Sequence, residues 1–220
     1  TNVNAAGCIK LNVEGYGGMI MSTWLDRPLS AAGRIIVSEN GKLVSKLVNL
    51  DRTTLVIPSV AIHMNRTANG GHAWNIQQDL LPLYGTADDS LSFMDAVAAA
   101  AQVAPENILG HDLYLYSRIE GTLWGERHEF ISSARLDDLQ CAFAAFRGFT
   151  AGKKEKHICV YALFDNEEVG SATNQGAGAT FLKNTLTRIS RSLGYGYDET
   201  QAMIARSFMI SADNGHALHP

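Results

Sequence analysis

Four acidic positions in the second half of the sequence have residue types and placements that could do chemistry. They are Asp137, the adjacent pair Glu167-Glu168, and Asp213, with His216 and His219 following the last at short spacing. Carboxylates and imidazoles together suit zinc, and a bridging carboxylate beside a free base suits a two-metal hydrolase. Two adjacent ionised glutamates repel each other, so a site holding both must supply positive charge from Arg, Lys or a metal. The plainer readings stand beside these. Glu167-Glu168 could be an exposed acidic loop tip. Asp137-Asp138 could simply favour a helix dipole, at about 0.3–1 kcal/mol each. None of the spacings is a zinc-finger signature, no GxSxG occurs, and no cysteine sits in a Cys/His nucleophile setting.

The elements around these residues explain why they draw notice. The apolar run from His157 to Phe164 reads as a buried strand that stops at Asp165-Asn166-Glu167-Glu168 and turns at Val169-Gly170. Carboxylates at the carboxyl end of a buried strand stand where open α/β sheets keep their ligands. Ser207 to Ser211 reads as a second apolar strand, ending at Asp213. Leu136 to Phe149 repeats apolar residues at three- and four-residue steps and is predicted helical, with Asp137 and Asp138 in its first turn. Further helices are expected over about 176–193 and 199–206. The second half therefore reads as an α/β layer.

The first half reads as mostly β. Strands are expected over 7–13, 34–37, 42–48, 53–57, 80–84 and 112–116, and Asn40-Gly41 is the strongest hairpin signal in the chain. One helix, 90–102, interrupts them, with Ser90 or Asp89 as its N-cap. Residues 118–129 read as loop. His63 has apolar neighbours, and a satisfied structural histidine is its ordinary reading. The change of composition argues for two structural units, with boundaries near 20–25 and 105–120.

The 220 residues, 46% hydrophobic and 18% charged, suit a globular protein with a proper core. A net charge of −4, not gathered into blocks, implies neither nucleic acid nor an anionic membrane as partner. Cys8, Cys141 and Cys159 have no CxxC spacing and read as free thiols in a reducing compartment, so a cytoplasmic location is expected. No apolar stretch approaches the roughly 18–20 residues of a membrane helix. The chain opens without a methionine and closes in mid-pattern, and we expect an internal piece of a longer protein.

Several stretches carry a resemblance. Tyr16-Gly17-Gly18, Ser22 to Arg27 (STWLDR), Ala32-Gly33-Arg34, Ile57 to His63, Glu129-Phe130-Ile131, Arg135 to Leu139, Asp165 to Ser171 (DNEEVGS) and Ser207 to Pro220 (SFMISADNGHALHP) follow one another in family order. The chain resembles the aspartyl aminopeptidase family, the M18 metallopeptidases. The resemblance implies an α/β fold of the dinuclear zinc exopeptidase kind (phosphorylase/hydrolase-like), incomplete here, with an inserted β-rich dimerisation domain. Residues 1–22 and 113–220 would then belong to the catalytic domain and 23–112 to the insert, which would also act as a lid.

It further implies roles. Asp137 would bridge two zinc ions, with Glu168 ligating one and Asp213 the other, and Glu167 would be the general base. His216 would contact substrate. His63 would be carried by the insert to a neighbouring subunit's active site, which reverses its structural reading and requires a homo-oligomer, a dimer or an assembly of dimers. Asp138 stands where Asn is the commoner residue and could orient a ligand, and Asn214-Gly215 is not the usual filling of its motif. His219 belongs to the motif without a chemical role. The other histidines, His72, His111, His128 and His157, match nothing functional. Two zinc-ligating histidines of the family have no counterpart in this segment, and three carboxylates cannot complete two zinc sites.

The implied activity is removal of one residue from the N-terminus of peptide substrates, with Asp or Glu preferred. Three alternatives stay open: broad or neutral specificity on the same fold, a non-catalytic assembly subunit, and a di-metal deacylase of related fold.

Overall fold

The computed structural model describes residues 2–87, 91–153 and 155–218. The chain divides into two compact units, residues 1–132 and 133–220. Among the described residues no helix is long and apolar enough to cross a membrane.

The first unit is built on paired strands. Leu29–Glu39 (β3) lies between Lys42–Asn49 (β4) and Ile108–Ser117 (β6), antiparallel to both. The β3–β4 connection is the Asn40-Gly41 turn read from the sequence. Both residues have positive φ, 52° and 74°, which a tight hairpin of this hand requires. Alternation along β3 sends Leu29, Ala31, Ile35 and Val37 to one face, where all are buried. Gly33 falls on that same alternation, where a Cβ would overlap the Asp112 carbonyl oxygen of the neighbouring strand. A second sheet pairs Cys8–Leu11 (β2) with Asn2–Ala5 (β1) on one side and Leu83–Thr86 (β5) on the other. Among its described residues this unit holds three α-helices, Ala68–Gly71 (α1), Ile76–Asp79 (α2) and Phe93–Ala101 (α3), and α3 contributes Phe93 and Val97 to the core that β3 lines.

Some sequence expectations for this unit are revised. Residues 53–57 make only isolated bridges, Leu55 to Leu29 and Val56 to Leu83, because Pro58 ends the run before a ladder forms. The expected strand at 80–84 is β5, displaced toward its carboxyl end. Helix α3 is capped by the Ser92 hydroxyl, which accepts from the Asp95 amide. The cap expected at Asp89 or Ser90 lies outside the described residues. Within the stretch 118–129 read as loop, Thr122–Trp124 (β7) is a strand that pairs with Phe130–Ser132 (β8) just beyond it, and Trp124 stacks on Phe130.

Helices dominate the second unit: Leu136–Ala151 (α4), Phe181–Ser192 (α5) and Tyr197–Ala205 (α6). Two expected strands are corrected. Residues 157–164 and 207–211 are assigned no strand, and Ile158, Val160, Leu163, Phe208, Met209 and Ile210 are exposed. An apolar run becomes a strand only where another strand offers hydrogen bonds, and no sheet forms in this unit among the described residues. The helix expected from 176 starts at 181, after a series of turns through 165–180.

Candidate metal centre

Asp137 and Asp138 do not sit in a first helical turn as their sequence suggests. Asp137 is extended (φ −85°, ψ 116°), Asp138 lies at φ −112°, ψ 18°, and helical backbone begins only beyond them. Arg135, just before, is left-handed at φ 60°. The chain thus turns sharply within the first residues of α4, and Asp137 stands at that turn.

Glu167 and Glu168 lie in the turns that follow residues 157–164. Neighbours on a regular strand would point to opposite faces, so serving one site requires a bend. Asn166 (φ 52°) and Gly170 (φ 115°) bracket the pair with left-handed residues. The turn is closed by hydrogen bonds: the Ser171 hydroxyl donates to the Glu167 carbonyl at 2.8 Å, and the Asp165 amide donates to Gln175 O at 3.1 Å. The Tyr161 hydroxyl ties the approaching segment to α4 by donating to Ala142 O at 2.9 Å.

Asp213 reaches the same region through its neighbour. Asn214 Nδ2 donates to Leu136 O at 2.8 Å and to Gln140 Oε1 at 3.3 Å, so the 213 segment is fastened to the start of α4. Asn214 Oδ1 is buried and has no hydrogen-bond partner among the described residues. In the sequence Asn214 stands out only as an uncommon filling of its motif. Its signal was an amide, able to bond backbone, placed directly beside a candidate ligand.

Electrostatics report that these carboxylates have gathered. The Asp137 carboxyl is pushed above its ordinary value, first by partial loss of water, then by the charge and hydrogen bond of Asp213, then by Glu168 and Asp138. Glu167 is pushed up first by Glu168, then by loss of water, Asp213, Asp137 and Asp138. A hydrogen bond between two carboxyl groups needs a proton on one of them. The charges that raise Asp137 and Glu167 are all neighbouring carboxylates. That excess of negative charge on oxygen donors fits a divalent cation. Among the described residues, however, no three His, Cys, Asp or Glu side chains are grouped so as to hold one. His216 is exposed three residues beyond Asp213, and His63 is exposed on a loop of the first unit. His219 lies outside the described residues.

Comparison with known proteins places the chain in a family. The model of a family described as aminopeptidase I zinc metalloprotease (M18) matches residues 1–220. A probable M18 family aminopeptidase 2 of Clostridium acetobutylicum is 45% identical over 218 residues, covering 96% of this chain and 50% of that protein. Its counterpart in Ectopseudomonas mendocina is 37% identical over 220 residues, covering 97% and 50%. Among solved structures, Chaetomium thermophilum mApe1 superposes with a TM-score of 0.84 at 31% identity, over 99% of this chain and 54% of that one. The S. cerevisiae mApe1 dodecamer gives 0.66 at 27% identity, over 86% and 44%. Fold and family model define the class first: an α/β protein of the zinc metalloprotease kind. Within it, the chain belongs to the M18 family of aminopeptidases. It spans about half the length of the curated relatives it matches.

Proposed function

We propose that this chain carries the carboxylate half of a metal-dependent aminopeptidase site that releases the N-terminal residue of peptides, with Asp or Glu preferred. The observation that carries it is that carboxylates gather in one unit: Asp213, Glu168 and Asp138 raise the proton affinity of Asp137, and Glu168, Asp213, Asp137 and Asp138 raise that of Glu167.

In this reading Asp137, Glu168 and Asp213 would hold zinc. Zinc, when bound, supplies a Lewis acid that polarises the scissile carbonyl and acidifies water. Glu167 stays free and accepts the proton of the attacking water. A glutamate left uncoordinated beside a zinc ligand suits a general base. Asn214 keeps Asp213 beside α4. His216 contacts the substrate.

The β-rich insert, taken as residues 23–112, presents His63 to the substrate of a neighbouring copy. A solved relative is described as a dodecamer, which supports a homo-oligomer.

The test is release of free amino acid from Asp-, Glu-, Leu- and Ala-initiated peptides by the full-length protein, beside Glu167→Gln with metal content determined. The expected result is Asp/Glu-selective release that falls at least ~10²-fold in the variant while metal stays bound. Release from Leu or Ala peptides would retain the mechanism and remove the acidic preference. Absence of release with zinc bound would favour an assembly subunit.

A further inference from the structure

The stretches Ser22–Arg27 and Ile57–His63 stand out in the sequence without any chemistry assigned to the residues around His63. The structure brings them together. Residues 58–66 leave the bridge at Val56 and turn back at Ala61, where the Met64 and Asn65 amides donate to Ala61 O at 2.8 and 3.2 Å. His63 stands in this turn, flanked by exposed Val60, Ile62 and Met64.

The entrance to the turn is gripped by Asp26. Its Oδ1 accepts from the Ser59 amide at 2.8 Å and its Oδ2 from the Ser59 hydroxyl at 2.6 Å. Its own amide donates to Ile57 O at 2.8 Å, so Asp26 holds the chain on both sides of Pro58. Asp26 is itself left-handed, at φ 57°. The two Ser59 bonds also hold the Asp26 carboxyl below its ordinary proton affinity, side chain first.

The exit is gripped by His72. The Thr67 hydroxyl donates to Asn65 Oδ1 at 3.1 Å, which orients the amide and leaves Nδ2 to donate toward His72 Nδ1, 3.4 Å away. That makes Nδ1 the acceptor, so the proton of the neutral ring sits on Nε2 and is donated to Asp79 Oδ2 at 3.0 Å. Asp79 is anchored in turn by the Asn75 amide at 2.7 Å, and Trp74 meets the His72 ring edge-on. An exposed loop tip is ordinarily mobile. This one is tied at both ends by side chains from outside it.

We infer that Asp26 and His72 are positioning residues, a pair of clamps that hold residues 59–65 in one conformation and so fix the direction in which His63 is presented. The inference rests on the reading of His63 as a substrate contact. Misplacement of a contacting group by ~1 Å can cost up to about 10²-fold in rate, so loosening one clamp should be visible.

The experiment compares Ser59→Ala, His72→Phe and His63→Ala, singly and with each clamp variant placed in the His63→Ala background, in the full-length protein. His72→Phe keeps a ring against Trp74 and removes both of the ring's hydrogen bonds. Ser59→Ala removes one bond and leaves the backbone bond in place. Each clamp variant should lower kcat about 3- to 10-fold with KM changed less than about twofold, and should add nothing once His63 is gone. Hydrogen exchange at the Met64 and Asn65 amides should quicken in both clamp variants, independently of catalysis. Unchanged kcat in both clamp variants, or the same loss repeated in the His63→Ala background, overturns the inference. So does unchanged exchange at those amides. If His63→Ala alone leaves kcat intact, the substrate-contact reading falls instead, and the exchange rates still decide whether the clamps exist.

Discussion

The segments 29–39 and 157–164 are both rich in apolar and β-branched residues, and they meet opposite fates. In β3, strands on both sides satisfy the backbone, and Leu29, Ile35 and Val37 are wholly buried. Across 157–164 no strand forms, and Ile158 is 69% exposed. Every buried hydrophobic side chain among the described residues lies in the first unit. The best-enclosed groups of the second are polar: the Ser190 and Thr200 hydroxyls, 2.6 Å apart. The difference teaches that hydrophobicity proposes a strand and a hydrogen-bonding neighbour disposes of it.

This contrast can be broken by substitution. Ile35→Ala should cost about 2–5 kcal/mol, read by chemical denaturation of the first unit, because it empties a closed core. A loss below ~1 kcal/mol would mean that core is looser than its burial suggests. Next is Thr200→Val in α6. The Thr200 hydroxyl donates to Gly196 O at 2.7 Å, so Ser190 is the donor to Thr200 and would be left unpaired. The expected cost is about 1–3 kcal/mol, and no change would show that water replaces the bond.

A smaller effect concerns pH, since Asp137 and Glu167 are exposed. Their folded proton affinities are raised, so they favour the folded state at low pH, and that contribution is lost as pH rises through the raised values. Denaturation in chelator across the carboxylate range should show the second unit losing stability on this account, and Glu168→Gln should flatten the loss. A profile unaffected by the variant would contradict the crowding. Smallest of all is Phe208→Ala, which should change the stability of these 220 residues by no more than about 0.5 kcal/mol. A larger cost would show that residues 207–211 are covered in solution.

How much of this was legible beforehand follows from the same contrast. The Asn40-Gly41 hairpin could be read because its signal is local, two residues that tolerate positive φ between alternating strands. The 157–164 and 207–211 strands were misread because strand formation is a property of pairs. The acidic cluster was visible as residue types, but spacing alone left an ordinary loop tip as a rival, and the M18 resemblance was what drew Asp137, Glu168 and Asp213 into one site. The entry to α4 could not be foreseen, since Asp137 and Asp138 adopt non-helical angles that no propensity encodes. His72 and Asp26 went unassigned because their partners, Asn65, Asp79 and Ser59, are joined to them by tertiary geometry.

Strand β4 carries a last consequence. It is an outer strand of its sheet, with Leu43 and Leu47 exposed on one side and the alternate positions Lys42 and Lys46 beside them. An open strand edge is a template on which a second chain can polymerise, and lysines are a common guard against it. Lys46 is partly engaged already, paired with Glu39 at 2.5 Å. Salt screens charges of this kind, so the protein's colloidal shelf life should be governed from this edge, shortening as ionic strength rises, with Leu47→Lys as the change that lengthens it.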